Sequence, residues 1–232
     1  MKRCYLVRHA QTLWNGESRI QGHSDIPLSP FGEQQAKRLA ERFAACHLSG
    51  IFTSALQRSL QTAHAIAAGL PAAPKEIGNG AAQAGNGRYR IEPVVERELA
   101  EMHLGVWEGL TPDEVDSRFQ NAYQQWRDKP SSVIIPGAEP LEAFRQRARR
   151  ALTSVMGGVQ EGEYVVVSHG GVIAAVLADL LGADYDHVIR RLRLDNAGVT
   201  AVEFGTGMPH VLWVNSTIHL EPLAQPQSAG WF

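Results

Sequence analysis

Four short segments of this 232-residue chain carry side chains suited to handling an anion. They are Arg8-His9; Arg58, behind Ser54-Ala55-Leu56-Gln57; Glu101, within Glu98-Leu99-Ala100-Glu101-Met102-His103-Leu104-Gly105; and His169-Gly170-Gly171. Each follows an apolar stretch that reads as a strand. Two arginines and two histidines in one crevice would form a cationic pocket. The planar fork of arginine suits bidentate phosphate binding, and such charge-assisted bonds are about twice as strong as neutral ones. Gly170-Gly171 opens a helix, where bare N–H groups and the positive dipole end favour the same anion. The arginines would repel a divalent cation, so the histidines do not read as metal ligands. A lone histidine after a strand is ordinarily structural. Two of them, one beside arginine and one beside a glycine pair, point to function.

The elements needed to position these segments are visible in the periodicity. Tyr5-Leu6-Val7 is a short buried strand, and Ser29-Pro30 caps and opens a helix whose apolar face is Ala36, Leu39, Ala40 and Phe43. Gly50 to Thr53 reads as strand and Leu56 to Gly69 as helix. Residues 78–90 are glycine-rich and read as a flexible surface insertion. Ile91 to Val95 reads as a third strand, and Thr111-Pro112-Asp113-Glu114 as a capping box. Leu141, Phe144, Ala148, Ala151, Leu152 and Val155 trace one helical face after a loop from Pro130 to Pro140. Tyr164 to Val167 is a buried strand leading into an apolar helix that ends near Leu181. Val199 to Phe204 and His210 to Val214 are the last strands.

Strands alternating with helices predict an α/β fold: a three-layer arrangement with a largely parallel central sheet and helices on both faces. With no repeat and no composition break, one domain over 1–232 is expected. In such sheets ligands bind at the carboxyl ends of the strands, where all four segments fall. The insertion at 78–90 should lie at the opposite end.

Composition narrows the function classes. Hydrophobic residues make up 44% and charged residues 20%, an ordinary globular balance. Lys plus Arg is 22 against 24 Asp plus Glu, a net charge of −2, which suits neither nucleic acid nor an anionic membrane. Cys4 and Cys46 cannot make a disulfide framework and read as small core or near-core residues. No apolar run reaches the roughly 20 residues of a membrane span, and the N-terminal apolar run is too short for a signal peptide. A soluble, cytoplasmic protein is expected. Arg145, Arg147, Arg149 and Arg150 read as the solvated face of a helix. Gly80 to Gly85 has phosphate-loop spacing, but Asn86-Gly87 follows where Lys-Ser or Lys-Thr is needed. His103 is balanced between substrate contact and loop packing. His23, His47, His64, His187, His210 and His219 read as surface or structural. Trp14 and Trp107 are candidates to wall the crevice; Trp126, Trp213 and Trp231 read as packing.

The segment Leu6-Val7-Arg8-His9-Ala10-Gln11-Thr12-Leu13-Trp14-Asn15 resembles the signature of the histidine phosphatase superfamily, the phosphoglycerate mutase-like family. The likeness continues through Arg19-Ile20-Gln21-Gly22, Asp25-Ile26-Pro27-Leu28, Gly32-Glu33-Gln34-Gln35-Ala36 and Thr53-Ser54-Ala55-Leu56-Gln57-Arg58. It is completed by Glu101-Met102-His103-Leu104-Gly105-Val106-Trp107-Glu108-Gly109, Pro136-Gly137-Ala138-Glu139 and Val167-Ser168-His169-Gly170-Gly171. The ordered set spans nearly the whole chain.

The resemblance implies that fold and a division of roles. His9 would attack phosphorus and carry a transient phosphohistidine. Arg8, Arg58, His169 and Asn15, with the Gly170 N–H, would hold the phosphoryl oxygens; Gln21 and Gly22 would line the substrate site. Glu101 would protonate the leaving oxygen and then activate water. No metal and no organic cofactor are implied. Ala10 replaces the usual glycine, which would cost about 1–3 kcal/mol if the position required a positive φ; it is expected to be tolerated. Ala138 replaces another glycine, in a loop not read as catalytic.

Three functions are compatible with these residues. A metal-independent phosphatase of small phosphomonoesters leads. A cofactor-dependent phosphoglycerate mutase is the alternative, and a non-catalytic phospho-ligand binder the third. The family's mutases carry a Tyr-Gly-x-Leu-x-Gly stretch and then basic residues; here the segment from His103 to Glu114 adds no base. A binder would not need a proton donor such as Glu101. The expected partner is a small phosphorylated metabolite, without nucleic acid or membrane; a homodimer is left open.

Overall fold

A computed structural model describes residues 1–72, 81–84 and 88–223. The strands in chain order are β1 (Lys2–Arg8), β2 (Leu48–Thr53), β3 (Ala81–Ala84), β4 (Arg88–Ile91), β5 (Val94–Val95), β6 (Gly162–Ser168), β7 (Val199–Phe204) and β8 (His210–Ser216). The α-helices are α1 (Leu13–Gly16), α2 (Pro30–Phe43), α3 (Gln57–Gly69), α4 (Pro112–Arg118), α5 (Ala122–Asp128), α6 (Leu141–Gly158), α7 (Gly170–Leu180) and α8 (Tyr185–Arg191).

Six strands form the central sheet in the order β5-β2-β6-β1-β7-β8. The first four run parallel, and β7 turns antiparallel against β1 and β8. Alternation along the central strands divides the apolar residues between two layers. Cys4 and Leu6 of β1, with Tyr164 and Val166 of β6, pack on one side against Phe144 of α6, Ile173 and Leu177 of α7, and Val188 of α8. Tyr5, Val7, Val165 and Val167 face the other side, against Leu39 and Phe43 of α2 and Ala63 and Ile66 of α3. Strands covered on both faces read as continuous apolar runs, as Tyr164 to Val167 does. Each such side chain, fully buried, is worth about 1.5–3 kcal/mol.

Register then aligns the strand ends. Arg8 stands opposite Ser168, while Val167 stands opposite both Val7 and Thr53. The backbone continues this alignment: His9 N–H donates to Ser168 O (2.9 Å) and Ser54 N–H to Val167 O (3.2 Å). The capping expectations hold, with Ser29 accepting from Gly32 N–H and Thr111 and Glu114 forming a reciprocal box.

Elsewhere the structure corrects the periodicity. Ile91 to Val95 is not one strand. Ile91 ends β4, and only Val94–Val95 joins the central sheet, beside β2. Within 78–90, β3 and β4 pair as an antiparallel ladder, where irregular chain is expected from composition; 78–80 and 85–87 lie outside the described residues. The short helices α1, α5 and α8 have four, seven and seven residues, too few turns for an apolar period to show. Trp107 is core and no crevice wall, and Trp126 is buried. Trp213, on the edge strand β8, is 38% exposed and sets its ring centre 6.3 Å from that of buried Tyr5; Trp231 lies outside the described residues. Among the described residues, no helix is long and apolar enough to cross a membrane.

Candidate active site

The carboxyl ends of β1, β2, β5 and β6 bring the four segments together. His9, just beyond β1, is 3% exposed. Its Nδ1 lies 2.8 Å from the Ala10 carbonyl. A carbonyl can only accept, so Nδ1 carries the ring proton and Nε2 keeps its lone pair. Burial, then the charges of Arg58 and Arg8, hold this imidazole well below its ordinary range, with only the Ala10 bond opposing. A neutral ring with an exposed Nε2 lone pair is a nucleophile.

His169 closes β6, its ring centre 5.2 Å from that of His9. Its Nε2 lies 2.7 Å from Ser54 Oγ and 3.3 Å from Ser59 Oγ. Burial, then Arg58, keeps it neutral as well. In the tautomer in which a serine hydroxyl donates to Nε2, the ring proton stands on Nδ1.

That Nδ1 has no partner, and neither do Nε of Arg8 and Nε of Arg58, all three buried. Arg8 is held at one terminal nitrogen, Nη1, by Leu194 O at 2.5 Å, while both terminal nitrogens of Arg58 are held, by Gly22 O at 2.7 Å and Ser24 O at 2.9 Å. Burial lowers Arg58 to about 10, opposed by Glu101 and Asp25, so it stays cationic near neutral pH. A buried donor without an acceptor costs about 1–3 kcal/mol. Three of them around one imidazole describe a cradle for an anion.

Glu101 faces this cradle, fixed at both oxygens. Met102 N–H donates to Oε1 (2.9 Å) and Gly171 N–H, in the first turn of α7, to Oε2 (3.0 Å). A Cβ at position 171 would strike Glu101 Oε1, which is why a glycine stands there. Each carboxyl oxygen keeps a lone pair for a proton.

Asn15 Oδ1 accepts from Thr12 N–H (3.0 Å) and Asn196 Nδ2 (3.2 Å), so its amino group is left to donate. Gln21 is buried, its Oε1 2.9 Å from Thr12 Oγ1. Gly22 contributes a carbonyl to Arg58, and Gly170 is the first residue of α7.

The sequence pattern described as Histidine phosphatase superfamily (branch 1) matches residues 4–217. The chain belongs to the histidine phosphatase superfamily. Among curated relatives, phosphoglycerate mutase-like protein 4 of Arabidopsis thaliana is 36% identical over 174 residues, 74% of this chain and 67% of that protein. Phosphoserine phosphatase 1 of Hydrogenobacter thermophilus is 30% identical over 220 residues, 95% of each chain. The solved structure of Bacillus stearothermophilus YhfR superposes with a TM-score of 0.81 at 31% identity, covering 95% of this chain and all of that one.

Two departures from this superfamily's signature bring no positive-φ strain. Ala10 has no positive φ and is fully buried, its N–H bonded to Thr62 Oγ1 at 3.0 Å. Ala138 is likewise outside the positive-φ residues, whereas its neighbour Gly137 has φ +73°.

Several supporting residues escape sequence reasoning in this superfamily member. Arg147 does not belong to a solvated face: its side chain is 15% exposed and forks onto Glu139 at 2.8 and 2.9 Å. It also donates to the carbonyls of Glu98, Ala100 and Glu101, clamping the segment that carries the carboxyl. Its place three residues after Phe144, on the flank of the buried stripe, was the available signal. Arg149 and Arg150 do face solvent. His23 is exposed, but its Nε2 donates to Glu101 O at 2.7 Å and its ring meets His103 edge-on at 5.1 Å. Asn196 links His9 O to Asn15. Nothing local in sequence marks Asn196; only the β1–β7 pairing brings it in.

Proposed function

We propose that this superfamily member hydrolyses small phosphomonoesters through a phosphohistidine on His9. The carrying observation is the free Nε2 of a neutral, buried His9 beside unpartnered donors on Arg8, Arg58 and His169. Nε2 attacks phosphorus as the ester P–O bond breaks, and Glu101 gives its proton to the departing oxygen, releasing an alcohol. The Glu101 carboxylate then takes a proton from water, whose oxygen displaces His9 and releases inorganic phosphate. Arg8, Arg58, His169, Asn15 and the first turn of α7 hold the oxygens on which charge develops, where phosphoryl-transfer catalysis mostly lies. Gln21 borders the same place; Gly22 acts through Arg58.

Fixed cations at the phosphoryl position disfavour a bound metal ion. Among the described residues no group of three or more His, Cys, Asp or Glu is arranged to hold one. Hydrolysis is favoured over mutase transfer because the segment from His103 to Glu114 adds no cation to grip a carboxylate. Arg19, which reaches that segment at Gly109 O, is committed to Glu17 and Glu114. A small phosphorylated metabolite is the ligand class; one domain spanning the chain is proposed with it.

The test is a panel of phosphorylated metabolites, with and without 3-phosphoglycerate and with a chelator, scored for free phosphate and for isomer. Chelator-resistant phosphate release supports the reading. Isomer formation would replace it with the mutase, and neither product would leave only binding.

A further inference from the structure

We infer that Glu108 is a positioning residue that sets Arg58 and Glu101 relative to one another, an inference resting on the phosphatase reading of the same site. Glu108 follows the short 3-10 turn Gly105–Trp107, and its side chain is 14% exposed. Its carboxylate collects four donors. Oε1 accepts from His23 N–H (2.9 Å) and Leu104 N–H (3.0 Å). Oε2 accepts from Ser24 N–H (2.9 Å) and Ser24 Oγ–H (2.8 Å).

Three of those donors belong to one loop, residues 22–24, which does two jobs. The Gly22 and Ser24 carbonyls seat the Arg58 guanidinium, and the His23 ring donates to the backbone carbonyl of Glu101. One carboxylate therefore ties the loop that holds the oxygen-binding arginine to the segment that carries the acid. The fit is close: Gly22 has φ +52°, and a Cβ there would strike Glu108 Oε1. The charge of Glu108 also helps keep buried Arg58 cationic. Removing the carboxylate would strand the loop's N–H groups and let both carbonyls drift from Arg58.

The test is a double-mutant cycle of Glu108→Gln with Arg58→Ala, read by orthovanadate binding in calorimetry and by kcat and KM on an aryl phosphate. In Gln, an NH2 faces N–H donors on one side of the carboxyl. Hydrogen bonds to a charged group are each strong enough to move an affinity about tenfold or more, so Glu108→Gln should weaken vanadate binding by about tenfold or more in wild type. In the Arg58→Ala background the same change should cost less than about twofold, because the group it acts through is gone. Equal losses in the two backgrounds, or wild-type vanadate affinity and kcat in Glu108→Gln, would overturn the inference. Ser24→Ala removes one donor only and should shift vanadate binding in the same direction if Glu108→Gln does not fold; no shift there counts against the inference. Vanadate binding without phosphate release by the wild type would sink the phosphatase reading alone. No vanadate binding by the wild type would sink both.

Discussion

The nucleophile's role proposed for His9 rests on its two nitrogens being unequal. The Ala10 carbonyl takes the Nδ1 proton, and the neighbouring guanidiniums keep a second proton off Nε2. His9→Ala should therefore abolish phosphate release, with turnover falling by about 10⁴-fold or more, measured in single-turnover assays. Substantial residual turnover would remove His9 from the nucleophile's role. Glu101 is tested by the leaving group instead. Glu101→Gln should slow hydrolysis of alkyl phosphates by about 10²–10⁴-fold and of an aryl phosphate with an acidic leaving group far less. Equal losses on both substrates would take the acid role away from it.

Elements contribute by where they end. The parallel strands β1, β2 and β6 stop in register, so the first polar residues after each meet across a few ångströms. Helix α7 is buried from Gly170 to Ala178 and delivers its first turn to Glu101. Helix α6 lies on the same side of the sheet and reaches the site through Arg147, whose fork on Glu139 and three backbone carbonyls hold residues 98–101. Arg147→Ala should lower kcat several-fold and the melting temperature as well, while leaving vanadate affinity near wild type, since it acts on Glu101 and not on the arginines. A loss confined to vanadate affinity would contradict that assignment. Ser29→Ala, at the start of α2, is the contrast: about 1 kcal/mol lost in urea unfolding, with kinetics unchanged.

At the scale of the whole molecule, the buried histidines link the site to stability. His9 and His169 both have proton affinities well below that of an exposed histidine, chiefly through burial. Above the unfolded value near 6.5, neither state binds the proton and stability is full. As pH falls below it, the unfolded chain takes up protons that the folded chain refuses, and stability declines. Each histidine contributes a slope of about 1.4 kcal/mol per pH unit over that window. Urea midpoints measured from pH 7.5 down to 5.5 should fall, and those of the double variant His9→Asn, His169→Asn should fall less steeply, keeping the part that belongs to His219, which burial lowers to about 4. A wild-type curve with no dependence over this range would contradict the buried neutral pair.

What the sequence determined by itself follows from local rules. Apolar runs buried on both faces marked β1 and β6, caps marked α2 and α4, and the residue types after the strands marked His9, Arg58, Glu101 and His169. The tertiary structure decided the rest. Val94–Val95 is too short to carry a period, so only its pairing with β2 separates it from Ile91. Arg147 has the composition of a surface residue, and its burial depends on carbonyls nearly fifty positions away. His23, Asn196 and Glu108 act through bonds to segments 78, 187 and 84–85 positions distant, a separation at which no local pattern survives. Local chemistry names the candidate reacting groups; the groups bonded to them are decided by which backbone lies alongside.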